Sequence, residues 1–362
     1  MKRLRMMRAP LKYVQGKGAL LHFHKEMEYM GKRWLFVCSN SGYKCCHDEL
    51  EKSFEGKDDY RRYEVFGGIS SNGEIKKMQD IVKADKIDVV VAVGGGSAVD
   101  TAKATAYYEG KRIVIIPTVA ASDAPCTGLS VIYNDDGSFN KYLFYPQNPD
   151  AVLVDSEVIA KAPAKFLIAG MGDALGTYFE GKASLRTESP SLEGGGITRA
   201  GMAIAKTCYE TLRTHGKAAV VACENNVVTP ALDAVIEAAV YLSGVGADNV
   251  NCAAPHSFYN GLTSLSGHHD ASHGDCVAFG TLVQLTLDKA EFEDIQNFCL
   301  EVGLPITLSE LGNFTDEEIH TISKNACVEG ETIHNLAGDV TPDELYCAII
   351  ATDALGKKRL GK

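Results

Sequence analysis

The sequence has little positive charge and no long run of apolar residues. Its 36 Lys and Arg are outnumbered by 47 Asp and Glu, which gives a net charge of −11. A nucleic-acid-binding surface needs a basic face, and the basic cluster Lys2–Arg8 is too short to provide one. No apolar run follows that cluster, as a signal peptide would require, and no stretch approaches the ~20 apolar residues of a transmembrane helix. We therefore expect neither a nucleic-acid nor a membrane partner.

The sequence also lacks a pattern of paired cysteines. It contains eleven, but they are scattered, and the adjacent Cys45 and Cys46 have no second pair at the spacing of a zinc site. A scattered, odd number of cysteines in a long chain without a signal sequence indicates reduced thiols. We therefore expect a cytoplasmic protein.

The length and the apolar pattern predict two domains. At roughly 100–200 residues per domain, 362 residues correspond to about two. The first half alternates short β-branched runs with helical segments, which predicts a parallel sheet with crossover helices. After Pro163 the apolar runs become long, rich in Ala and Leu, and helical. We predict an α/β domain over residues 1–160 and an all-α domain over residues 161–362, and the motifs described below make the first nucleotide-binding and the second metal-binding.

The individual elements follow from the same patterns. The predicted strands are Trp34–Ser39, Tyr63–Phe66, Val89–Val93, Arg112–Ile116 and Ala151–Asp155, with a hairpin tip at Asn134–Phe139. The predicted helices are Glu74–Ala84, Thr101–Glu109, Ala200–Thr214, Pro230–Leu242, Gly274–Lys289, Ala290–Val302 and Pro342–Leu355.

Two well-known phosphate-binding motifs are missing from the glycine-rich turn after Val89–Val93. The segment Gly94–Ser97 lacks the Gly-Lys-Ser/Thr of a P-loop, and Val99 stands where G-x-G-x-x-G needs its last glycine. The turn could still bind a phosphate through backbone N–H groups, with Ser97 as the N-cap of the next helix. A purely structural turn would explain the same residues. However, Thr118 follows the next strand, so both segments face one crevice, where ligands collect in open α/β sheets.

Three widely separated side chains could form an open metal site. Asp173, His256 and His273 supply one carboxylate and two imidazoles, a set that leaves one coordination position free, as in catalytic zinc sites. Taken alone, Asp173 could cap a helix, and His256 could be a hydrogen-bonded core residue. His268 and His269 lie close to His273, and spacing does not decide which of them binds. Together with the glycine turn, this set indicates a metal-dependent and nucleotide-dependent oxidoreductase.

Seven segments of the chain carry a family resemblance. They are GGGSAVDTAK, PTVAASDAPCTGLSVIY, NPDAVLVD, GMGDALGTYFEGKAS, VVTPALDAVIEAAVYLSGVG, HGDCVAFGTL and EGETIHN. In this order they resemble the iron-dependent alcohol dehydrogenase superfamily, and within it the glycerol dehydrogenase branch, over roughly Leu11 to Leu355. The resemblance implies a dehydroquinate synthase-like fold, in which the active site lies between an N-terminal α/β domain and a C-terminal helical domain.

The resemblance also assigns roles to individual residues. The metal ligands fall on Asp173, His256 and His273, and Asp123 falls beside the nicotinamide and the substrate hydroxyls. Iron-using relatives have a histidine four residues after the aspartate, where this chain has Thr177, as zinc-using glycerol dehydrogenases do. We therefore expect Zn²⁺, with Fe²⁺ or another divalent ion as the alternative. The positions matching the cofactor site are Ser39, Gly94, Gly95, Gly96, Ser97, Thr118, Ser122, Leu129, Val131 and Lys141.

Three positions depart from the glycerol dehydrogenase pattern. Ser39 replaces an aspartate that accepts hydrogen bonds from the adenosine ribose, Ser97 replaces a lysine, and Tyr259 replaces a second histidine near the metal. The loss of the aspartate removes a charge that repels the 2′-phosphate of NADP. We predict NAD as the cofactor with weakened discrimination against NADP. We also predict poor use of glycerol relative to another small diol or hydroxy-ketone.

The expected reaction is hydride transfer between a small polyol or secondary alcohol and a nicotinamide, such as glycerol to dihydroxyacetone, in a homo-oligomer. A glycerol-1-phosphate dehydrogenase and a 2-hydroxy acid dehydrogenase are alternatives. For the former, we find no residues that would bind the phosphate group of its substrate. A lyase resembling 3-dehydroquinate synthase is an alternative of another class. Its pocket is rich in Lys and Arg, and the active-site segments of this chain lack such a cluster.

Overall fold

Eight strands lie in the first half of the chain, in a computed structural model that describes residues 4–265, 271–288 and 291–361. They are β1 (Lys12–Gly16), β2 (Arg33–Cys38), β3 (Tyr60–Val65), β4 (Val89–Gly94), β5 (Arg112–Pro117), β6 (Leu129–Tyr133), β7 (Phe139–Phe144) and β8 (Ala151–Asp155). Six of them form one parallel sheet in the order β1-β8-β5-β4-β2-β3. The other two, β6 and β7, pair as an antiparallel hairpin.

The interiors of the central strands are apolar because helices cover both faces of the sheet. Every residue of β4 (VVVAVG) and of β8 (AVLVD) is buried, as expected for parallel strands of this kind. The strand β4 has β2 on one side and β5 on the other. The carboxyl ends of β2, β4 and β5 are therefore neighbours at one edge of the sheet.

The remaining regular structure is helical, and every regular element described after β8 is a helix. The first five helices are α1 (Phe23–Met27), α2 (Asn40–Ser53), α3 (Asn72–Ala84), α4 (Gly96–Tyr108) and α5 (Ser156–Ala160). The others are α6 (Ala164–Arg186), α7 (Arg199–Glu224), α8 (Pro230–Glu237), α9 (Ser243–Val250), α10 (Ala254–Thr263), α11 (His273–Asp288), α12 (Phe292–Val302), α13 (Asp316–Ala326) and α14 (Pro342–Arg359). Four short 3₁₀ segments are Ala19–His22, Glu28–Met30, Leu308–Glu310 and Thr332–Asn335.

The predicted elements are found with boundaries that shift mainly at helix ends. Lys289 and Ala290, predicted as the end of one helix and the start of the next, lie outside the described residues. The hairpin tip predicted at Asn134–Phe139 lies between β6 and β7. The helix predicted from Thr101 begins at Gly96, so the expectation that Ser97 is its N-cap is wrong. Gly95 is the N-cap, in an extended backbone conformation and without a side-chain cap, because glycine serves nearly as well as serine at that position.

A π-helical turn at Ala238–Leu242 joins α8 to α9 and makes Pro230–Val250 one continuous helix. By length and composition this helix could cross a membrane, so the expectation that no stretch approaches that size is wrong. However, 61% of its most apolar window is buried inside the protein, as in the core helix of a globular fold.

One hydrophobic core continues from the sheet into the helical half. It includes Val90 and Val154 from the sheet and Met171, Ile236 and Leu282 from the helices. The fold class predicted from the sequence, a parallel α/β half followed by a helical half, is confirmed. The division at residue 160 stays a prediction, because the same core lies on both sides of it.

Candidate active site

The glycine-rich turn lies at the carboxyl edge of the sheet, hydrogen-bonded to both neighbouring strand ends. The backbone N–H of Ser39 donates to the carbonyl of Val93 at 2.9 Å, and that of Thr118 donates to the carbonyl of Gly94 at 3.1 Å. The Ser39 hydroxyl caps α2 by accepting from the N–H of Gly42. Three predicted cofactor segments are thus adjacent, as the topology requires.

A small cavity opens between this turn and the loop after β5. It is lined by Gly94, Gly95, Gly96, Pro117, Val119, Ala121, Ser122 and Pro125. A Cβ atom built on Gly96 would meet no heavy atom within 4 Å, so space is open at the first turn of α4. The first N–H groups of a helix have no intrahelical acceptor and attract anions. The first turn of α4 therefore offers N–H donors to an anion such as a phosphate group.

The hairpin β6–β7 contributes a half-buried face beside this turn. Leu129 and Val131 are half-buried, while Ser130 and Ile132, which alternate with them along the strand, are buried, so the first pair shares one face. The N–H of Val131 donates to the α4 carboxylate Asp100 at 3.3 Å.

Lys141 lies on the other face of the hairpin. It pairs in register with Ile132, and its ammonium contacts the hydroxyl of Tyr108 at 3.2 Å. Its described contacts therefore do not include the glycine turn.

A buried lysine fixes the loop that joins the turn to the hairpin. The ammonium of Lys103, on α4, donates to the carbonyls of Ala124, Thr127 and Leu129. Burial lowers the pKa of Lys103 below its ordinary value, although the nearby Asp100 carboxylate opposes the shift. Lys103 therefore anchors the loop that carries Ser122 and Asp123 to α4, the helix that follows the glycines.

Three side chains from three helices converge next to this loop. Asp173 lies on α6, His256 near the start of α10, and His273 is the first residue of α11. Their donor atoms lie within 4.8 Å of one another. Asp173 Oδ1 is 3.2 Å from His273 Nε2 and 3.7 Å from His256 Nε2. The structure thus brings together the three residues predicted as ligands.

This cluster fits a metal ion. Asp173 is 1% exposed, and its Oδ1 is buried without a hydrogen-bond partner among the described residues. An unpaired buried carboxylate oxygen is costly unless a cation satisfies it. Ligand atoms around a tetrahedral ion with bonds of ~2.1 Å lie about 3.4 Å apart, which is close to the separations of Asp173 Oδ1 from the two imidazole nitrogens.

Two glycines allow the helices that carry these ligands to approach. A Cβ atom on Gly172, in α6, would lie 2.3 Å from the carbonyl oxygen of Gly274, in α11. A Cβ atom on Gly274 would lie 1.8 Å from the carbonyl oxygen of Ala169. Because these glycines adjoin Asp173 and His273 in the chain, the backbone contact sets the distance between the two candidate ligands.

His256 is held from behind by a buried glutamate that the sequence analysis did not identify. Both oxygens of Glu180 lie 3.0 Å from His256 Nδ1, which leaves Nε2 facing Asp173. Burial lowers the pKa of His256, but its interactions with Cys252 and Glu180 outweigh that effect and raise the pKa well above its ordinary value. Glu180 follows Asp173 on the same helix by seven residues, which places both on one face.

Asp123 links the cofactor edge to the ligand cluster. Its N–H donates to Asp173 Oδ2 at 3.2 Å, and its carboxylate accepts from the hydroxyl of Ser243 at 3.1 Å. Burial, together with the Asp173 carboxylate, raises the pKa of Asp123 to about 8. Thr177 bonds to the same Ser243 hydroxyl at 2.9 Å, so its oxygen has a protein partner. Asp123 can hold or release a proton near neutral pH.

Tyr259 packs against the side chain of the candidate ligand His273. Its ring stands edge-to-face on that of His273, with the centroids 4.3 Å apart. Burial raises the pKa of the Tyr259 phenol far above its usual range. The residue therefore contributes shape rather than a mobile proton. His268 and His269, the alternative ligands near His273, lie outside the described residues.

Comparisons with known proteins show which family the chain resembles. Residues 10–156 match the model of the iron-containing alcohol dehydrogenases. A glycerol dehydrogenase of Escherichia coli O6:H1 is 42% identical over 98% of each chain. A glycolaldehyde reductase of Halobacterium salinarum is 40% identical over 97% of this chain and 98% of its own. The crystal structure of glycerol dehydrogenase from Schizosaccharomyces pombe superposes with a TM-score of 0.94, at 34% identity, covering 99% and 94% of the two chains.

Proposed function

The chain belongs to the iron-containing alcohol dehydrogenase family and is glycerol dehydrogenase-like, and we propose that it interconverts a small polyol and its hydroxy-ketone with NAD(H). One observation carries the proposal. The N–H of Asp123, in the loop after β5, donates to Asp173 Oδ2, so the candidate cofactor edge touches the candidate metal ligands. An alcohol held at the ligand cluster would lie beside a nicotinamide held at that edge.

The family uses a divalent metal ion, and we propose Zn²⁺ held by Asp173, His256 and His273. One carboxylate and two imidazoles suit zinc and leave a position for substrate. Thr177 stands where iron-using relatives have a histidine, and its hydroxyl is engaged by Ser243. A three-ligand site follows, because no fourth donor reaches the cluster from that position.

We propose that the chain's own residues position the reactants and move the proton. A bound divalent ion supplies Lewis-acid polarisation of an alcohol oxygen, and bound NAD supplies a hydride acceptor. Glu180 orients His256, and Asp173 receives the N–H of Asp123. The Asp123 carboxyl, backed by Ser243, is the proposed acceptor of the alcohol proton, which it passes to solvent.

Reduction of a small hydroxy-aldehyde is a second candidate. Tyr259 covers one side of His273 and narrows the space beside the cluster, which favours a substrate smaller than glycerol. The relative from Halobacterium salinarum, 40% identical, is named a glycolaldehyde reductase. We further propose that the protein is a cytoplasmic homo-oligomer, on the basis of its unpaired cysteines and its family.

A cofactor assay over a panel of substrates tests this function. Purified protein is supplied with NAD or NADP and with glycerol, smaller diols and 2-hydroxy acids, and the reverse reaction is run with hydroxy-ketones and glycolaldehyde. We expect cofactor reduction with at least one diol, and none with Asp173→Asn. Turnover of 2-hydroxy acids alone, or no turnover of any alcohol, would contradict the proposal.

A further inference from the structure

We propose that Glu180 is a positioning residue for the metal site. Its carboxylate holds the His256 imidazole so that Nε2 is directed at the ion. This inference rests on the metal site proposed above. Glu180 is 1% exposed, and both of its carboxylate oxygens lie 3.0 Å from His256 Nδ1. On the opposite side of the ring, His256 Nε2 faces Asp173 Oδ1.

One helix supplies both the first ligand and the support of the second. Asp173 and Glu180 are separated by two turns of α6, so their side chains leave the same face of that helix. The α6 backbone therefore fixes the distance between the carboxylate that faces the ion and the carboxylate behind the imidazole. His256 is held between the two.

Glu180 also fixes the start of the helix that carries His256. Its Oε1 accepts from the N–H of Ala253 at 2.7 Å, and the N–H of His256 lies 3.4 Å away. A buried carboxylate that receives several N–H bonds has little freedom to rotate. The same side chain thus sets the position of the α10 backbone and the orientation of the ring.

The hydrogen bond to Glu180 selects one form of the imidazole. When Nδ1 carries the proton and donates it to a carboxylate, Nε2 keeps its lone pair for a metal ion. Without Glu180 the ring can rotate, and either nitrogen can carry the proton. Metal affinity should then fall, because the correct tautomer and orientation must be established on binding.

Direct coordination by Glu180 is the competing role. Cys252, His256 and Glu180 also have donor atoms within 4.8 Å of one another, and they could form a second donor group. However, both Glu180 oxygens lie beside His256 Nδ1, and one of them also accepts from Ala253. A carboxylate engaged in this way favours orientation of the ring over coordination of a second ion.

Zinc affinity, measured by competition with a chromogenic chelator, tests the proposal on the full chain. Glu180→Gln keeps the size of the side chain and removes its charge, and Glu180→Ala removes both. We expect zinc Kd values raised by roughly 10-fold to 100-fold, with the larger loss in the alanine variant. The visible absorption spectrum of the Co²⁺-loaded protein should change in the same variants.

Two further variants make the result specific. Asp353→Asn removes the charge of another buried carboxylate, which accepts from the N–H of Leu308. Both residues are distant in sequence from the candidate ligands, so this variant should leave the zinc Kd unchanged. In a His256→Ala background, Glu180→Gln should cause no further loss of affinity, because the ring it orients is absent.

The outcomes separate this inference from the metal site itself. If the parent protein binds no zinc, the proposed metal site fails. If the parent binds zinc and Glu180→Gln binds it equally well, Glu180 is not a positioning residue. An equal loss from Glu180→Gln with and without His256 would also overturn the proposal.

Discussion

Tyr259 shapes the space next to the candidate ligand His273, because its ring stands on the histidine ring with centroids 4.3 Å apart. We predict that Tyr259→His raises kcat/KM for glycerol relative to the preferred diol by ~10-fold, or about 1.4 kcal/mol. Histidine is smaller and titrates near neutral pH, whereas burial raises the pKa of this phenol. Steady-state kinetics over a diol panel would measure the change.

Tyr259→Phe is the matched control for that substitution. It keeps the ring against His273 and removes only the hydroxyl, so the order of substrates should stay as in the parent. If the parent oxidises glycerol as well as any other diol, Tyr259 does not set specificity.

Ser39 lies at the end of β2 and governs the predicted choice between NAD and NADP. We predict that Ser39→Asp lowers kcat/KM for NADP relative to NAD by ~10-fold or more, because a carboxylate repels the 2′-phosphate. Aspartate also caps helices well, so α2 should keep the cap that Ser39 now provides to Gly42. Kinetics with both cofactors would measure the ratio.

Ser39→Asn controls for size and capping at the same position. It adds no charge and should leave the cofactor ratio near that of the parent. A parent that already prefers NAD by more than about 10³-fold, or ~4 kcal/mol, would show that another position excludes NADP.

Individual residues were predictable where they stand in a local pattern. The three candidate ligands and the glycines belong to segments that a sequence can reveal. The structure brings the three ligands close to one another and places the glycines beside the loop after β5. Glu180 and Ser243 were missed because their contacts with His256 and Asp123 join distant parts of the chain. The seven-residue spacing from Asp173 was the one available signal for Glu180.

At the scale of elements, the ligand geometry depends on the crossing of α6 and α11. A Cβ atom on Gly274 would lie 1.8 Å from the backbone oxygen of Ala169, so a helix must move. We predict that Gly274→Ala lowers the free energy of unfolding by about 1–3 kcal/mol. It should also weaken zinc binding, since His273 precedes Gly274 directly. Chemical denaturation and chelator competition would measure the two effects.

Gly96→Ala is the control for a helical glycine in open space. No heavy atom lies within 4 Å of a Cβ atom built there, so the cofactor-free protein should lose little stability. If Gly274→Ala unfolds at the same denaturant concentration as the parent and binds zinc equally well, the close helix contact does not set the site.

Strands were predictable wherever burial on both faces required a continuous apolar run. The β-branched runs of β4, β5 and β8 predicted strands because parallel strands covered on both faces must be apolar. Helix ends were less predictable. The sequence misplaces the start of α4 because Gly95 caps this helix without a side chain, whereas Ser97 carries the hydroxyl that is typical of an N-cap.

At the scale of the whole molecule, one hydrophobic core connects the sheet to α6 and α11, two of the three helices that carry the candidate metal ligands. We predict a single thermal unfolding transition that shifts to higher temperature on addition of zinc. At a free zinc concentration one hundred times the Kd, the stabilisation should be about 2.7 kcal/mol. Differential scanning calorimetry with and without zinc would measure both features.

In the calorimetric experiment, Asp173→Asn separates zinc binding at the proposed site from other effects of zinc on thermal unfolding. It removes the carboxylate charge from the cluster, so its transition should shift little with zinc. Two separated transitions in the parent protein would show that the sheet and the helical half unfold independently despite their common core.

The central claim is that Asp173, His256 and His273 hold one divalent ion required for alcohol oxidation by NAD. The most direct test is to titrate chelator-treated protein with Zn²⁺ while following NADH formation from the best diol. We predict no turnover without metal, and a rate that rises with added zinc to a plateau at one ion per chain. Full turnover in protein shown to contain no metal would contradict the account.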